Sequence, residues 1–230
     1  MLRPLFQDRR VRIALSMLFD KKDFWEKKLH KADTIVAESE YYFGLAYDHE
    51  IKPIGYSPKD AVELLAEAGW VDSNGDGVLD KDGKKFEFTL IYPQGGPAYE
   101  PRSVIQQKQL KDVGIIMNVR MNEWASLIDK IKNKDFDAVY LAWAQSLESD
   151  PYQLWHSSGA GPQRGEQSLF FSDPLADQLI ETIRLTLDEK KRMKAHYSGP
   201  HPGSGTALYV SVCSEGSGGV SQTVPRSEVV

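Results

Sequence analysis

Apolar residues recur at helix and strand spacings along the first 197 residues of this 230-residue chain. From Asp8, apolar positions at offsets of three and four predict an amphipathic helix, whose arginines, Arg12 among them, mostly face water. Ser57 precedes a proline, and Gly69 follows the next apolar run. This arrangement predicts a helix over 58–68 that begins at a capping hydroxyl.

Two later segments, 85–92 and 115–121, alternate apolar and polar residues, as strands with one buried face do. A helix over 101–113 is predicted between them, then a helix capped by Asn122 and a strand over 136–143. This order predicts an α/β fold with a mixed sheet and crossover helices. The apolar positions are Phe86, Phe88, Leu90 and Tyr92, then Ile115, Met117, Val119 and Met121, then Trp124, Leu127, Ile128 and Ile131.

The end of the chain divides into a helical part and a tail. Asp173 and the Thr186 to Glu189 stretch predict the starts of two more helices. Residues 198–230 are rich in Gly, Ser and Pro, and only 207–213 are expected to form a strand there. We therefore predict one domain over 1–197, followed by an atypical tail without other regular structure.

Charge and composition exclude several classes of function. The net charge is -5, with 28 basic and 33 acidic residues spread along the chain, so we expect no nucleic-acid partner. The single cysteine, Cys213, cannot form an internal disulfide. The sequence shows no apolar run of signal-peptide or membrane-spanning length, so we expect neither an export signal nor a span in this chain.

The segment 72–83 matches part of a calcium-binding loop. Oxygen ligands stand at positions one, three, five and nine, namely Asp72, Asn74, Asp76 and Asp80, with glycine at position six. Position twelve, which holds a bidentate carboxylate in such loops, is glycine. Calcium is the only cofactor that the sequence suggests, and the alternative is a turn stabilised by Asp and Asn side chains.

Trp143 is the first candidate for a ligand contact. It ends a predicted strand and opens a long loop, where the carboxyl ends of α/β strands commonly face a crevice. Trp155 follows on a short helical turn and is a second candidate, with a core position as its alternative. The sequence contains no nucleophile elbow, phosphate-binding loop or paired metal-ligand motif, so we expect no enzymatic activity.

Five segments together resemble the peptide, dipeptide and nickel solute-binding proteins of ABC importers, extracellular solute-binding family 5. The resemblance runs from about Phe6 to about Tyr197. The segments are DRRVRIALSMLFDKKDF, SPKDAVELLAEAGWVDSNGDGVLDKDGKKFEFTLIY, QLKDVGIIMNVRMNEWASLIDKIKNKDFDAVYLAW, DPYQLWHSS and FSDPLADQLIETIRLTLDEKKRMKAHY.

The resemblance implies one lobe of a two-lobe, type II periplasmic-binding-protein-like fold. It further implies a monomeric protein that binds di- or oligopeptides and delivers them to the transmembrane subunits of a permease. Such a protein is periplasmic or extracellular, held at the membrane by a lipid anchor or by the permease. The alternatives are an oligosaccharide or nickel complex as the solute, or a calcium-stabilised structural domain.

The resemblance also implies where a peptide's amino group would bind. Peptide carriers often have an aspartate three residues after the tryptophan that corresponds to Trp143, and here that residue is Ser146. Glu148 and Asp150 lie just beyond and are candidates for the missing negative charge. Their alternative is a solvated loop, in which Asp150 initiates a turn before proline.

The resemblance covers only part of a family chain. We expect that a truncated and frameshifted gene explains the residues after Tyr197, with an unusual natural tail as the alternative. A lobe without its partner offers only one wall of a cleft. We therefore expect weak or no ligand binding by this chain alone.

Overall fold

The computed structural model describes most of the chain, namely residues 4–24, 26, 36–37, 54–96, 98–133, 135–144, 150–159, 173–198, 212–215 and 219–225. Its helices are α1 (Arg9–Met17), α2 (Lys21–Asp23), α3 (Pro58–Glu67), α4 (Tyr99–Lys111), α5 (Trp124–Lys132), α6 (Tyr152–Trp155), α7 (Pro174–Leu185) and α8 (Glu189–Ser198). Its strands are β1 (Val36–Ala37), β2 (Asp80–Lys81), β3 (Lys84–Lys85), β4 (Glu87–Pro93), β5 (Ile116–Asn122), β6 (Ala138–Ala144), β7 (Val212–Glu215) and β8 (Gly219–Pro225). Short 3-10 helices lie at Pro4–Phe6 and Ser157–Gly159.

The main sheet has six strands in the order β1-β7-β8-β6-β4-β5. Strand β4 runs parallel to both β5 and β6, whereas the other pairs are antiparallel. Helices α4 and α5 make the two crossovers of the parallel part. The predicted mixed sheet with crossover helices is therefore confirmed.

In the part of the chain that is described, no helix has the length and apolar character of a membrane span.

Both faces of β4 are buried, although the sequence predicts one buried face. Leu90 faces a large core under α1, α3 and α4, whereas Ile91, 3% exposed, lies on the opposite face. Helix α5 contacts β4 and buries Leu127 and Ile131. The large core includes Phe6, Leu15, Leu65, Trp70, Phe86, Phe88, Leu110, Ile115, Met117 and Tyr140. A central parallel strand covered on both faces by helices needs apolar residues on both.

The edge strand β5 is less buried than its alternation predicts. Ile115 and Met117 lie in the core, but Met121 is 57% exposed. Met121 stands opposite Tyr92, at the carboxyl end of the strand pair.

Helix α4 starts at Tyr99, two residues before the predicted position, because a proline is tolerated in the first turn of a helix.

The helix caps differ from the predicted ones. At the start of α3, the Ser57 hydroxyl donates to the Asp60 carboxylate and caps no backbone N–H. Helix α5 is capped by Glu123 and not by Asn122, since the Glu123 carboxylate accepts the backbone N–H groups of Ala125 and Ser126. A glutamate one residue later reaches the same free donors of the first turn.

The prediction that Arg12 faces water is wrong. Its side chain is buried, and its guanidinium donates to the backbone oxygens of Phe6 and Gln7. Those carbonyls belong to the turn that precedes α1, so the arginine closes that turn against the helix. A sequence pattern that counts only apolar residues cannot identify such a buried cation.

Two strands lie in the segment predicted to be a tail. Strand β8 pairs antiparallel along the whole of β6, and β7 pairs with β8 and β1. The strand prediction over 207–213 overlaps β7 at two positions, and it missed β8. Residues 219–225 contain the valines 220 and 224, but the glycine and serine around them do not favour a strand, so the pattern predicted none there. The domain boundary and the origin of the tail stay predictions.

Candidate functional site

The order of the parallel strands along the sheet reverses at β4. Strand β5 lies on one side of β4, and the next crossover carries the chain to β6 on the other side. Pairing between β4 and β6 involves Leu90 with Ala138 and Ile91 with Val139, while both strands continue beyond it. Ligands of open α/β sheets bind outside the carboxyl ends of strands at such a reversal. The carboxyl ends of β4 and β6 are therefore the candidate site.

Three tyrosines whose rings contact one another in a row lie at this edge, and we call them the tyrosine ladder. Tyr92 is the penultimate residue of β4, Tyr99 begins α4 and Tyr140 lies in β6. The ring centroids of Tyr92 and Tyr99 are 6.1 Å apart, and those of Tyr99 and Tyr140 are 6.2 Å apart at an interplanar angle of 17°. These separations are in the range of favourable aromatic pairs. Through these ring contacts, helix α4 packs against both β4 and β6.

Tyr140, the innermost rung, is held from helix α4 at both its ring and its hydroxyl. The Arg102 guanidinium carbon lies 4.4 Å from the ring centroid, and the Tyr140 hydroxyl donates a hydrogen bond to Oε1 of Gln106. Arg102 and Gln106 are one helical turn apart, so they share one face of α4. Sequence reasoning missed this cluster, although a charged and an amide residue at that spacing on a core-facing helix was the available signal.

The edge also carries exposed apolar side chains. Trp124, at the first position of α5, and Met121, at the end of β5, are both 57% exposed. Both lie at the carboxyl end of the parallel strands. The sequence pattern placed Trp124 in the apolar stripe of α5, but only Leu127 and Ile131 of that stripe are buried. An exposed indole at this edge of the sheet can contact a bound solute.

Trp143 and its neighbours are only partly described. The backbone of Trp143 lies in β6 opposite Val220 of β8, and its side chain is outside the description. Ser146 and Glu148 also lie outside the described residues. Trp155 is 6% exposed at the end of α6, which matches the alternative of a core position. The ligand roles of these residues stay predictions.

Asp150 lies in a set of contacts that joins α6 to α7. Its Oδ2 lies 3.1 Å from Nε of Arg184, and its Oδ1 accepts the backbone N–H of Tyr152 at 3.0 Å. The Arg184 guanidinium also stacks on the Tyr152 ring, 4.2 Å from its centroid. The Asp150 carboxylate is thus used in a hydrogen bond with the first residue of α6 and in an ion pair, and nothing described brings it to the edge of the sheet.

The same junction continues through His156, which stacks on Tyr152 at 4.2 Å. Nδ1 of His156 accepts the backbone N–H of Ser158 at 3.1 Å, and Nε2 lies 3.5 Å from Glu181 of α7. The Asp177 carboxylate accepts the Ser157 backbone N–H at 2.8 Å. These contacts fix the turn after α6 on α7.

The predicted calcium loop is folded around its own hydrogen bonds. Asp72 accepts the backbone N–H groups of Gly75, Asp76 and Gly77. Asp80, in β2, accepts the N–H and hydroxyl of Ser73. The segment is thus a turn whose Asp and Asn side chains accept its own backbone N–H groups. Such a turn is the alternative that the sequence predicted beside a calcium site. Within the described residues, no group of three or more His, Cys, Asp or Glu side chains is placed to hold a metal ion.

Asp76 is paired with a cation across the hairpin formed by β2 and β3. The Lys85 ammonium donates to Asp76 Oδ2 at 2.7 Å, and Oδ1 accepts the Val78 N–H at 3.0 Å. The hydrogen bond from Lys85 lowers the pKa of the Asp76 carboxyl below its usual value and raises the pKa of Lys85. Calcium binding at Asp72, Asn74, Asp76 and Asp80 stays a prediction.

A family model covers the strands and helices that build this edge. The bacterial extracellular solute-binding proteins, family 5 Middle, match residues 1–165. The chain belongs to this family. The fold is accordingly the type II periplasmic-binding-protein fold, of which this chain forms part of a lobe.

Relatives of the family are named for peptide binding. The oligopeptide-binding protein AppA of Bacillus subtilis is 35% identical over 196 residues, which are 84% of this chain and 36% of AppA. The di/tripeptide-binding protein 2 of Pseudomonas aeruginosa is 28% identical over 193 residues, 82% of this chain and 34% of that protein. The family member described here spans about a third of the length of these relatives.

Solved structures of the family have the same fold. The structure of AppA in complex with a nonapeptide aligns with a TM-score of 0.76, covering 84% of this chain and 39% of that one. The structure of NikZ from Campylobacter jejuni in complex with Ni(L-His) aligns with a TM-score of 0.72 at 26% identity, covering 84% and 39% respectively.

Proposed function

We propose that this chain supplies one lobe of the solute-binding component of an ABC importer and binds peptides at the carboxyl ends of β4 and β6. The observation that carries the proposal is the reversal of strand order at this edge, built by a segment similar to the peptide-binding AppA. A crevice at such a reversal accepts a ligand without any change to the strands beneath it. The exposed Trp124 supplies apolar surface at this edge, and the tyrosine ladder, in which Tyr92 and Tyr140 are buried, supports the strands.

The proposed mechanism is binding without chemistry. Two lobes close on a solute, and the closed form docks on the transmembrane subunits of the permease, so that the binding free energy shifts a conformational equilibrium. No bond is made or broken, and the protein is not an enzyme. It acts as a monomer outside the cytoplasmic membrane, held there by a lipid anchor or by the permease. The family description, which names extracellular solute-binding proteins, supports this placement.

Recognition of the peptide in this proposal combines apolar contact and charge. Trp143 and Trp124 contact peptide side chains or backbone at the edge of the sheet. Ser146 hydrogen-bonds the peptide amino group, and Glu148 supplies the negative charge. Asp150 is the weaker candidate for that charge because it is already paired with Arg184. An amine that bound Asp150 would compete with the Arg184 guanidinium for the same carboxylate.

A nickel complex is the second candidate solute. NikZ, which is 26% identical, has been solved with Ni(L-His), so a family lobe of this kind is compatible with a metal–amino acid complex. The same edge would then receive a smaller and more polar ligand. The two candidates differ in the area of apolar surface that the ligand covers, and so in their dependence on the exposed tryptophan.

A titration tests both candidates. The protein is a chimera in which residues 1–197 of this chain replace the matching segment of Bacillus subtilis AppA, so that a second lobe is present. We expect it to bind a pool of randomised nonapeptides, and we expect Trp124→Ala and Trp143→Ala each to weaken binding roughly tenfold or more. Trp70→Phe, a change at a buried core position, is the control. Binding of nickel–histidine with no binding of peptides would overturn the peptide proposal in favour of the second candidate.

A further inference from the structure

Arg102 is a cation almost completely removed from solvent beneath the candidate site. Its side chain is 1% exposed, and its guanidinium carbon lies 5.1 Å from the ring centroid of Phe19 and 4.4 Å from that of Tyr140. Burial of a charge is costly unless its surroundings compensate for the lost hydration. Two aromatic faces compensate in part, and a planar guanidinium can lie against such faces, whereas an ammonium cannot.

The place of Arg102 in the fold links it to the peptide-binding edge. Tyr140 is completely buried. The Arg102 guanidinium lies over its ring, and its hydroxyl donates a hydrogen bond to Gln106. Tyr140 in turn stacks on Tyr99, and Tyr99 contacts the tilted ring of Tyr92 near the end of β4. A shift of the innermost ring therefore moves the other two, because close-packed rings transmit displacement.

We propose that Arg102 is a positioning residue of the binding site: it holds Tyr140, and through Tyr140 it sets the tyrosine ladder that supports the carboxyl ends of β4 and β6. Arg102 does not touch the ligand. The inference rests on the proposed function for its effect on peptide binding. The effect on the ladder itself follows from the contacts alone.

The test uses the full 230-residue chain with Arg102→Met, which keeps a long side chain and removes the charge, and with Arg102→Lys. Arg9→Met, at an exposed position in the first turn of α1, is the matched control. We expect both Arg102 variants to lose much of the near-ultraviolet circular dichroism of ordered tyrosines, at a temperature where far-ultraviolet spectra show full folding. Arg102→Lys does not rescue the signal, because a lysine cannot stack flat on Tyr140.

The second readout is affinity for a randomised nonapeptide pool, measured on the folded AppA chimera that carries the same substitutions, because the chimera supplies the second lobe. We expect Arg102→Met to weaken it roughly tenfold and Arg9→Met to leave it unchanged. A double-mutant cycle of Arg102→Met with Tyr140→Leu should show that the two changes are not additive.

The outcomes separate the two claims. An unchanged tyrosine signal in folded Arg102→Met, or rescue by lysine, overturns the positioning role. A lost signal with unchanged peptide affinity overturns the link between the ladder and binding. If the wild-type chimera binds no peptide at all, the proposed function loses support, and the positioning of the ladder is still decided by the tyrosine signal.

Discussion

Nε of Arg184 lies 3.1 Å from Oδ2 of Asp150, and this ion pair joins the start of α6 to the last turn of α7. Both side chains are about half exposed, at 48% and 50%. Exposed pairs of this kind stabilise a fold only slightly because water and salt screen them. The pair matters more for function, since it engages one of the two carboxylates that the sequence offers for amine recognition.

We predict that Asp150→Asn changes stability slightly and peptide binding not at all. The asparagine oxygen can still accept the Tyr152 N–H, so only the ion pair is lost, which costs at most about 1 kcal/mol in the free energy of unfolding. Urea unfolding measures the first quantity, and peptide titration of the AppA chimera measures the second. If Asp150→Asn lost peptide affinity at unchanged stability, Asp150 would be the amine-binding carboxylate after all.

Two residues of helix α4 give a matched test of the core. Leu110 is fully buried, whereas Val104 is 59% exposed on the same helix. We predict that Leu110→Ala lowers the free energy of unfolding by about 2–5 kcal/mol, because it leaves a cavity between α4 and the sheet. Val104→Ala should change it by less than about 0.5 kcal/mol. Equal effects of the two substitutions in urea unfolding would contradict the burial of this face of α4.

Acid should weaken the fold through Asp8 and Asp76. Hydrogen bonds from Arg10 and from Lys85 lower the pKa of these carboxyls below their usual value of 3.8 in the folded protein. The stabilisation is therefore fully present above that value, and it is lost as pH falls through the lower folded-state pKa.

The measurement is the urea midpoint as a function of pH, for the wild type and for Asp76→Asn. We expect the variant to lose less stability than the wild type as the pH falls below about 4, because its side chain no longer titrates. Parallel curves for the two proteins would show that the Lys85 pair does not contribute to stability. Lys85→Met, which removes the partner cation, should resemble Asp76→Asn above pH 4.

Calcium should have little effect on stability. The Asp72 and Asp80 carboxylates already accept backbone and serine donors, and Asp76 is paired with Lys85. A ligand that binds only the folded state raises the melting temperature in proportion to its binding free energy. We therefore predict no change in melting temperature with millimolar calcium. A rise of several degrees that Asp72→Asn abolishes would establish a calcium site in this loop.

The parallel core could be predicted because its information is local. Alternation in 85–92 and the apolar stripes on either side fix strand and helix directly, and only one hand of crossover is common. The caps could not be predicted as well. Ser57 and Asn122 are good capping residues, yet the Ser57 hydroxyl donates to Asp60 instead of capping, and Glu123 takes the backbone donors at the start of α5. That choice depends on side-chain geometry within one turn, which a pattern does not encode.

The contacts that support the candidate site could not be predicted from the sequence, for a different reason. Arg12 and Arg102 look like solvated helix residues in a pattern of apolar positions, but each is buried by contacts with distant or irregular parts of the chain. The tryptophan at the end of β6 could be placed at the edge of a sheet from its position alone. The rings and cation beneath that edge come from three separate elements, and only the tertiary structure brings them together.

The most direct test of the central claim is native mass spectrometry of the AppA chimera, released from its expression host without denaturation. The account predicts that a set of small masses stays bound, and that they are peptides of mixed sequence. Trp124→Ala should reduce the bound fraction, and Trp70→Phe should not. A folded chimera that retains no peptide and takes up none from a randomised pool would contradict the account, and a retained nickel–histidine mass would keep the fold while replacing the proposed solute.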